Sequence, residues 1–118
     1  MSLSKKQRLF TQRIGQLIIW SYEHGYELTF GDAYRTPTQA AANASAGIGI
    51  KASNHTRRLA VDLNLFINGE YRTGTEDYLP LGEYWESLST PELTCCWGGR
   101  FRTRPDGNHF SAEHEGVR

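Results

Sequence analysis

Two short stretches of the chain gather residue types suited to metal chemistry: Ser53-Asn54-His55-Thr56-Arg57-Arg58-Leu59-Ala60-Val61-Asp62 and Asp106-Gly107-Asn108-His109-Phe110. Neutral imidazole and carboxylate are both suitable zinc ligands. Three protein ligands that leave a fourth position open to water mark a catalytic rather than a structural site. His55, Asp62 and His109 offer such a set and leave Asp106 as a spare carboxylate. Zinc lowers the pKa of bound water toward about 7, and a nearby carboxylate can take the proton as the oxygen attacks a carbonyl carbon. Each residue alone has a plainer reading. A single histidine in a loop is ordinarily a surface or hydrogen-bonding group, and aspartate in Pro105-Asp106-Gly107 is a favoured turn former. Asp62 is harder to set aside, because an acid in mid-strand needs an open face or a partner.

The elements that must position these groups follow from periodicity. Leu59, Val61, Leu63, Leu65 and Ile67 alternate with Ala60, Asp62, Asn64 and Phe66, so a strand over 59–67 places Asp62 opposite its apolar face. His55 then lies in the loop entering that strand. Asn68-Gly69 reads as a hairpin turn into Tyr71. Residues 95–110 read as one or two strands broken by Pro105-Asp106-Gly107, a bend that lets Asp106 and His109 converge. Upstream, Ser4 with Gln7 resembles a capping box, and Phe10, Ile14, Leu17, Ile18 and Tyr22 recur at helical spacing until Gly25, predicting a helix over 5–24. Tyr26, Leu28 and Phe30 predict a half-buried strand. Thr36-Pro37-Thr38-Gln39 opens a second, short helix. Glycine and small residues over 46–51 predict a loop, and 81–88 a further short helix. The mixture predicts a small α+β domain with an antiparallel sheet flanked by helices, occupying the whole of 1–118.

Composition narrows the function classes. Thirteen basic and thirteen acidic side chains cancel, which argues against binding to nucleic acid or to an anionic membrane surface as the main activity. No apolar run approaches the roughly 20 residues of a spanning helix, and no secretory leader is expected. A bond between the adjacent Cys95 and Cys96 would close almost no loop, so both are expected as reduced thiols. His24 and His114 are expected at the surface.

Ser53, His55, Ala60, Asp62, Asp106 and His109 resemble, in identity and order, the signature of the M15 zinc peptidases: Ser-x-His, then Gly-x-Ala-x-Asp, then an acid three residues before a histidine. That family includes D-alanyl-D-alanine carboxypeptidases, VanX-type dipeptidases and the L-alanyl-D-glutamate peptidases of phage endolysins. The resemblance implies a Hedgehog/DD-peptidase-like fold, one zinc ion per chain held by His55, Asp62 and His109, and Asp106 as catalytic base. It further implies that Arg35 holds a substrate carboxylate or carbonyl and stabilises transition-state charge, a task suited to a guanidinium fork. Ser53 and Trp97 join Arg35 as substrate-contacting residues, although packing is the favoured use of the Trp97 indole. The sequence departs from the signature at Arg58, where the family has glycine. The implied function is hydrolysis of an amide bond in the bacterial wall peptide. Our first expectation is a monomeric phage endolysin of the L-alanyl-D-glutamate endopeptidase type, accumulating in the host cytoplasm before lysis. The alternatives are a carboxypeptidase or dipeptidase acting on D-alanine, and a zinc-stabilised module that binds peptidoglycan uncut, with Arg100, Arg102 and Arg104, which alternate as on a solvated strand face, meeting wall carboxylates.

Overall fold

A computed structural model of the chain describes residues 1–47 and 53–118. The first helix, α1, runs Leu3–Glu23, two residues earlier than its expected start. Its N-cap is Ser2, whose hydroxyl accepts from the Lys5 amide at 3.2 Å. Ser2 can supply the capping oxygen as well as Ser4, and Gln7 is engaged elsewhere, its side-chain amide donating to the Arg57 carbonyl at 2.7 Å. Phe10, Ile14, Leu17 and Ser21 form the buried stripe of α1. Tyr22 leaves that stripe: it is 52% exposed, and its hydroxyl donates to the Leu28 carbonyl while accepting from the Leu28 amide. Gly25 follows the helix at φ 81°, the left-handed conformation typical of a residue just beyond a C-cap.

Strand β1 (Glu27–Phe30) is only partly covered, and Phe30 is 73% exposed where a half-buried position was expected. Helix α2 (Pro37–Ser45) starts as expected, with the Thr36 hydroxyl accepting from the Gln39 amide. Of the predicted loop over 46–51, Ala46 and Gly47 form a turn and the remainder lies outside the described residues. Strand β2 (Ala60–Ile67) is the spine of the sheet. It turns at Asn68 and Gly69, both at positive φ, into β3 (Glu70–Arg72), with Ile67 opposite Glu70. Positive φ at both central residues is the signature of a two-residue primed hairpin turn, as Asn-Gly predicted. Helix α3 spans Leu79–Ser87, and β4 (Cys95–Trp97) and β5 (His109–Ala112) complete the set. Between β4 and β5 the chain makes a 3-10 turn, Gly98–Arg100, and then bends, so Arg100, Arg102 and Arg104 do not share a strand face.

The sheet order is β1-β2-β5-β4, antiparallel throughout, with β3 also paired to β2. One face packs on α1 and α3 through Phe10, Leu17, Val61, Leu63, Trp85 and Phe110. Trp85 and Phe110 are fully buried, their rings edge to face at 6.4 Å. Burying a side chain such as Leu17 or Leu65 contributes about 1.5–3 kcal/mol, and this one-sided core holds the long β2 strand in place. The opposite face of β2 near its start is left for the site.

Candidate active site

Sheet register brings the first two site residues together. In the β2–β5 pairing Val61 lies opposite Phe110 and Asp62 opposite His109. Directly opposed residues on antiparallel strands share a face, so the pair that points into the core alternates with the pair that points away from it. Asp62 Oδ1 lies 3.6 Å from His109 Nδ1.

His55 arrives by a different route. Ser53 N-caps the 3-10 turn Asn54–Arg57 by accepting from the His55 amide at 3.2 Å. The Asn54 side chain is fully buried, and its amide donates to the carbonyls of Ala112 and Val117, tying the turn to β5. Arg58 ends the turn in the left-handed conformation, φ 56° and ψ 34°. This is the signature's glycine position, and the backbone there has the conformation glycine favours. Arg58 adopts it with its guanidinium 4.0 Å from the centre of the Tyr34 ring, a cation–π contact that offsets part of the local strain. The substitution therefore leaves the return of the chain into β2 intact.

His55 is 3% and His109 6% exposed. The Ala33 carbonyl can only accept, so His55 Nδ1, 2.9 Å from it, carries the proton in that bond. Nε2 is thereby free, 3.4 Å from Asp62 Oδ1. Potential ligand atoms of His55, Asp62 and His109 all lie within 4.8 Å of one another. Asp62 Oδ1 and His109 Nε2 are buried without a hydrogen-bond partner among the described residues. Orphaned buried polar atoms are costly, and two imidazoles with one carboxylate match the donor preference of zinc. The residues present fit a bound divalent metal.

Burial opposes the charged forms of Asp62, His55 and Asp106, and at the first two their contacts outweigh it. Asp62 would be pushed up by burial, but His109 and His55 outweigh this and hold its carboxyl down at about 2. Burial would lower His55, yet the Asp62 carboxylate and the Ala33 carbonyl together raise it above its ordinary value. Asp106 remains open to solvent at the mouth of the site, but partial burial and then the Asp62 charge raise its pKa. An acid raised in this way is a stronger proton acceptor once ionised.

The residues His55, Asp62, Asp106, His109, Arg35 and Ser53 all line one cavity of about 350 Å³. Arg35 reaches it from the segment after β1, its amide donating to the His55 carbonyl and its Nη2 to Asp32 at 3.0 Å, while its buried Nε has no partner among the described residues. Asp106 is placed by two backbone bonds, its amide to the Gly98 carbonyl and its carbonyl from the His109 amide. A Cβ at Gly98 would collide with the Asp106 carbonyl and stand 2.7 Å from His109 Cβ.

Trp97, expected among the substrate-contacting residues, does not line this cavity. It is 3% exposed and donates from Nε1 to the Gly107 carbonyl at 2.7 Å. Its indole lies where side chains at Gly82 and Gly99 would be. An interior indole satisfied by a backbone acceptor packs and orients, and here it holds the Asp106 loop. The cavity also contains Phe101, Arg104 and Pro105. Arg104 carried a sequence signal in the arginine alternation; Phe101 and the Ala33 carbonyl carried none. His24 and His114 stay away from the site: His24 is exposed and stacked on Trp20, whereas His114 is half-buried beside Lys6 rather than at the open surface. Cys95 and Cys96 are free thiols, Cys95 pushed up to about 11 by burial.

No curated protein matches the chain in sequence. Among solved structures, the crystal structure of Serratia marcescens L-Ala D-Glu endopeptidase ChiX has a similar fold, with TM-score 0.74 over 93% of this chain and 85% of that chain at 18% identity. An M15 peptidase family model, described as D-alanyl-D-alanine carboxypeptidase, matches residues 47–112, a span that includes His55, Asp62, Asp106 and His109. With more than half its length matched to that model, and a His-Asp-His cluster inside the matched span, the chain belongs to the M15 family and is a metallopeptidase.

Proposed function

We propose that this chain is a zinc-dependent peptidoglycan endopeptidase that cuts an L-Ala-D-Glu bond of the wall peptide. The observation that carries the reading is the buried His55–Asp62–His109 cluster with Asp106 beside it at the mouth of one cavity. His55, Asp62 and His109 would hold the metal. Zinc bound there supplies Lewis acidity, acidifying a water and polarising the scissile carbonyl. Asp106 accepts the proton of the attacking water on its carboxylate and returns it to the departing amine. The Arg35 guanidinium, whose Nε has no partner among the described residues and whose Nη2 is steadied by Asp32, holds a carbonyl or carboxylate oxygen of the substrate. Ser53 keeps His55 in place through its cap and borders the bound peptide.

An endopeptidase needs room for substrate on both sides of the cut. The site cavity shares Phe101 and Arg104 with a groove, and Pro105 and Asp106 with a pocket at Tyr71, Thr73 and Thr75, so walls of the site border two further cavities. These adjoining cavities and the fold of the Serratia endopeptidase support endopeptidase action. The family description supports a second reading, removal of terminal D-alanine. On the first reading the protein is a monomeric phage endolysin, held in the host cytoplasm until the membrane is breached. Digestion of purified muropeptides with the zinc-loaded protein, followed by mass spectrometry, tests both. New amino termini at D-glutamate support the endopeptidase, release of D-alanine supports the alternative, and intact muropeptides would falsify both.

A further inference from the structure

The groove that joins the site cavity at Phe101 and Arg104 has a volume of about 510 Å³, and its remaining walls are Arg100, Arg102, Thr103 and Arg118. Among the described residues no aspartate or glutamate lines it, although acids and bases balance over the chain as a whole. Arg100 is already committed. Its Nε and Nη2 donate to the Glu86 carboxylate at 3.2 and 3.1 Å, and its guanidinium lies 5.2 Å from the Trp97 ring centre. Arg102 and Arg104 differ: both are exposed, and among the described residues neither makes an ion pair.

Exposed arginines are common and ordinarily serve solubility. What separates Arg104 from that background is its position, because it borders the same cavity as Asp106 and His109 while also bordering the arginine groove. Arg35 shares the site cavity with the Asp62 and Asp106 carboxylates and serves the reacting group, so a carboxylate farther along the substrate needs a separate cation. A guanidinium fork can bind such a carboxylate through two hydrogen bonds at once.

We propose that Arg102 and Arg104 form a subsite for a carboxylate of the wall peptide beyond the scissile amide, so that the enzyme discriminates acidic peptides from their amidated counterparts. The proposal rests on the peptidase reading above and deepens it. Arg35 acts on the reacting group; Arg102 and Arg104 act on substrate charge at a distance from it. Their contribution therefore falls on KM rather than kcat and weakens as salt screens exposed charge.

The test uses two synthetic peptides that share an L-Ala-D-Glu bond, one with free carboxylates and one with those groups as primary amides. Each is titrated by calorimetry into zinc-loaded Asp106→Ala protein, with and without Arg102→Gln and Arg104→Gln. Each is also cleaved by the wild type and by the doubly substituted enzyme. The acidic peptide should bind about tenfold more tightly than the amide, the scale of one charge-assisted contact, and the double substitution should abolish that ratio. In turnover the acid-to-amide ratio of kcat/KM should fall by a similar factor, through KM. Lysine at both positions should recover part of the preference. An acid-to-amide ratio that is unchanged in the glutamine variant overturns the subsite. If the wild type cleaves neither peptide, the endopeptidase reading fails, and the binding ratio still decides the subsite.

Discussion

Asp62 serves two imidazoles at once, and this makes the site sensitive to protons before any metal arrives. In the metal-free chain His55 is raised above 6.5 because the Asp62 carboxylate and the Ala33 carbonyl outweigh its burial. The stability this contributes is complete below 6.5 and is lost as pH rises through the higher folded value. Asp62 is held down at about 2 from 3.8, so its contribution is present above 3.8 and is lost as pH falls toward 2. Metal-free protein should accordingly gain stability from this pair between those limits, and Asp62→Asn should flatten the profile measured by urea unfolding. Zinc must displace the His55 proton, so its affinity should rise with pH across the raised His55 value. Asp106 belongs to a different step. Asp106→Ala should retain zinc while hydrolysis falls by about 10²- to 10⁴-fold, the usual contribution of a positioned general base. In the metal-free protein the Asp106 carboxyl should titrate above 3.8, since burial and then the Asp62 charge raise it, which an NMR titration checks. Loss of zinc from the alanine variant, checked by metal analysis after dialysis, would make Asp106 a ligand instead.

At the scale of elements, the 3-10 turn after β4 sets where Asp106 and His109 meet. Gly98 gives Asp106 its backbone acceptor and lies too close to the Asp106 carbonyl and His109 Cβ for any side chain. Because the obstruction includes main chain, no rotamer change relieves it. Gly98→Ala should weaken zinc binding and hydrolysis together and lower the melting temperature. The comparison is Gly15 in α1, where an added Cβ meets nothing within 4 Å. Gly15→Ala should stabilise by about 0.5–1 kcal/mol with activity unchanged, since alanine loses less backbone entropy in a helix. Calorimetric melting of both variants checks the contrast, and equal effects would remove the special role of the turn.

Over the whole molecule, the site joins parts of the chain that are far apart in sequence. His55 precedes the central strand, Asp62 lies on it, and His109 comes from the strand paired beside it. A metal held by all three binds only the folded arrangement, so it should raise apparent stability by about 2.7 kcal/mol at a concentration 100 times its dissociation constant. Chelation should lower the melting temperature correspondingly, and the loss should vanish in His109→Ala. The core beneath is separable from the site. Leu65 is fully buried on the other face of β2, and Leu65→Ala should cost about 2–5 kcal/mol while the folded fraction still binds zinc. If zinc binding disappears with Leu65 at temperatures where the protein remains folded, site and core are not independent.

The sequence by itself determined the elements and the residues able to do chemistry, because both depend on local properties. Alternation over β2 placed Asp62 off the apolar face, Asn68-Gly69 dictated the hairpin, and Thr36-Pro37 dictated the start of α2. Spacing also named His55, Asp62, Asp106 and His109 before any distance was known. The start of α1 was less legible, since Ser2 and Ser4 offer the same capping oxygen and only tertiary engagement of Gln7 separates them. Tertiary structure alone decided that Asp62 faces His109, because strand register is a relation between segments 47 residues apart that no local periodicity encodes. It also sent Trp97 into the core, where close glycine contacts leave room for an indole and a backbone carbonyl takes its N–H. The arginine series was visible as a pattern, but a strand face was the wrong geometry for it. A 3-10 turn and bend instead placed Arg104 at the wall shared by site and groove, a consequence of how the chain packs between β4 and β5 rather than of its residue alternation.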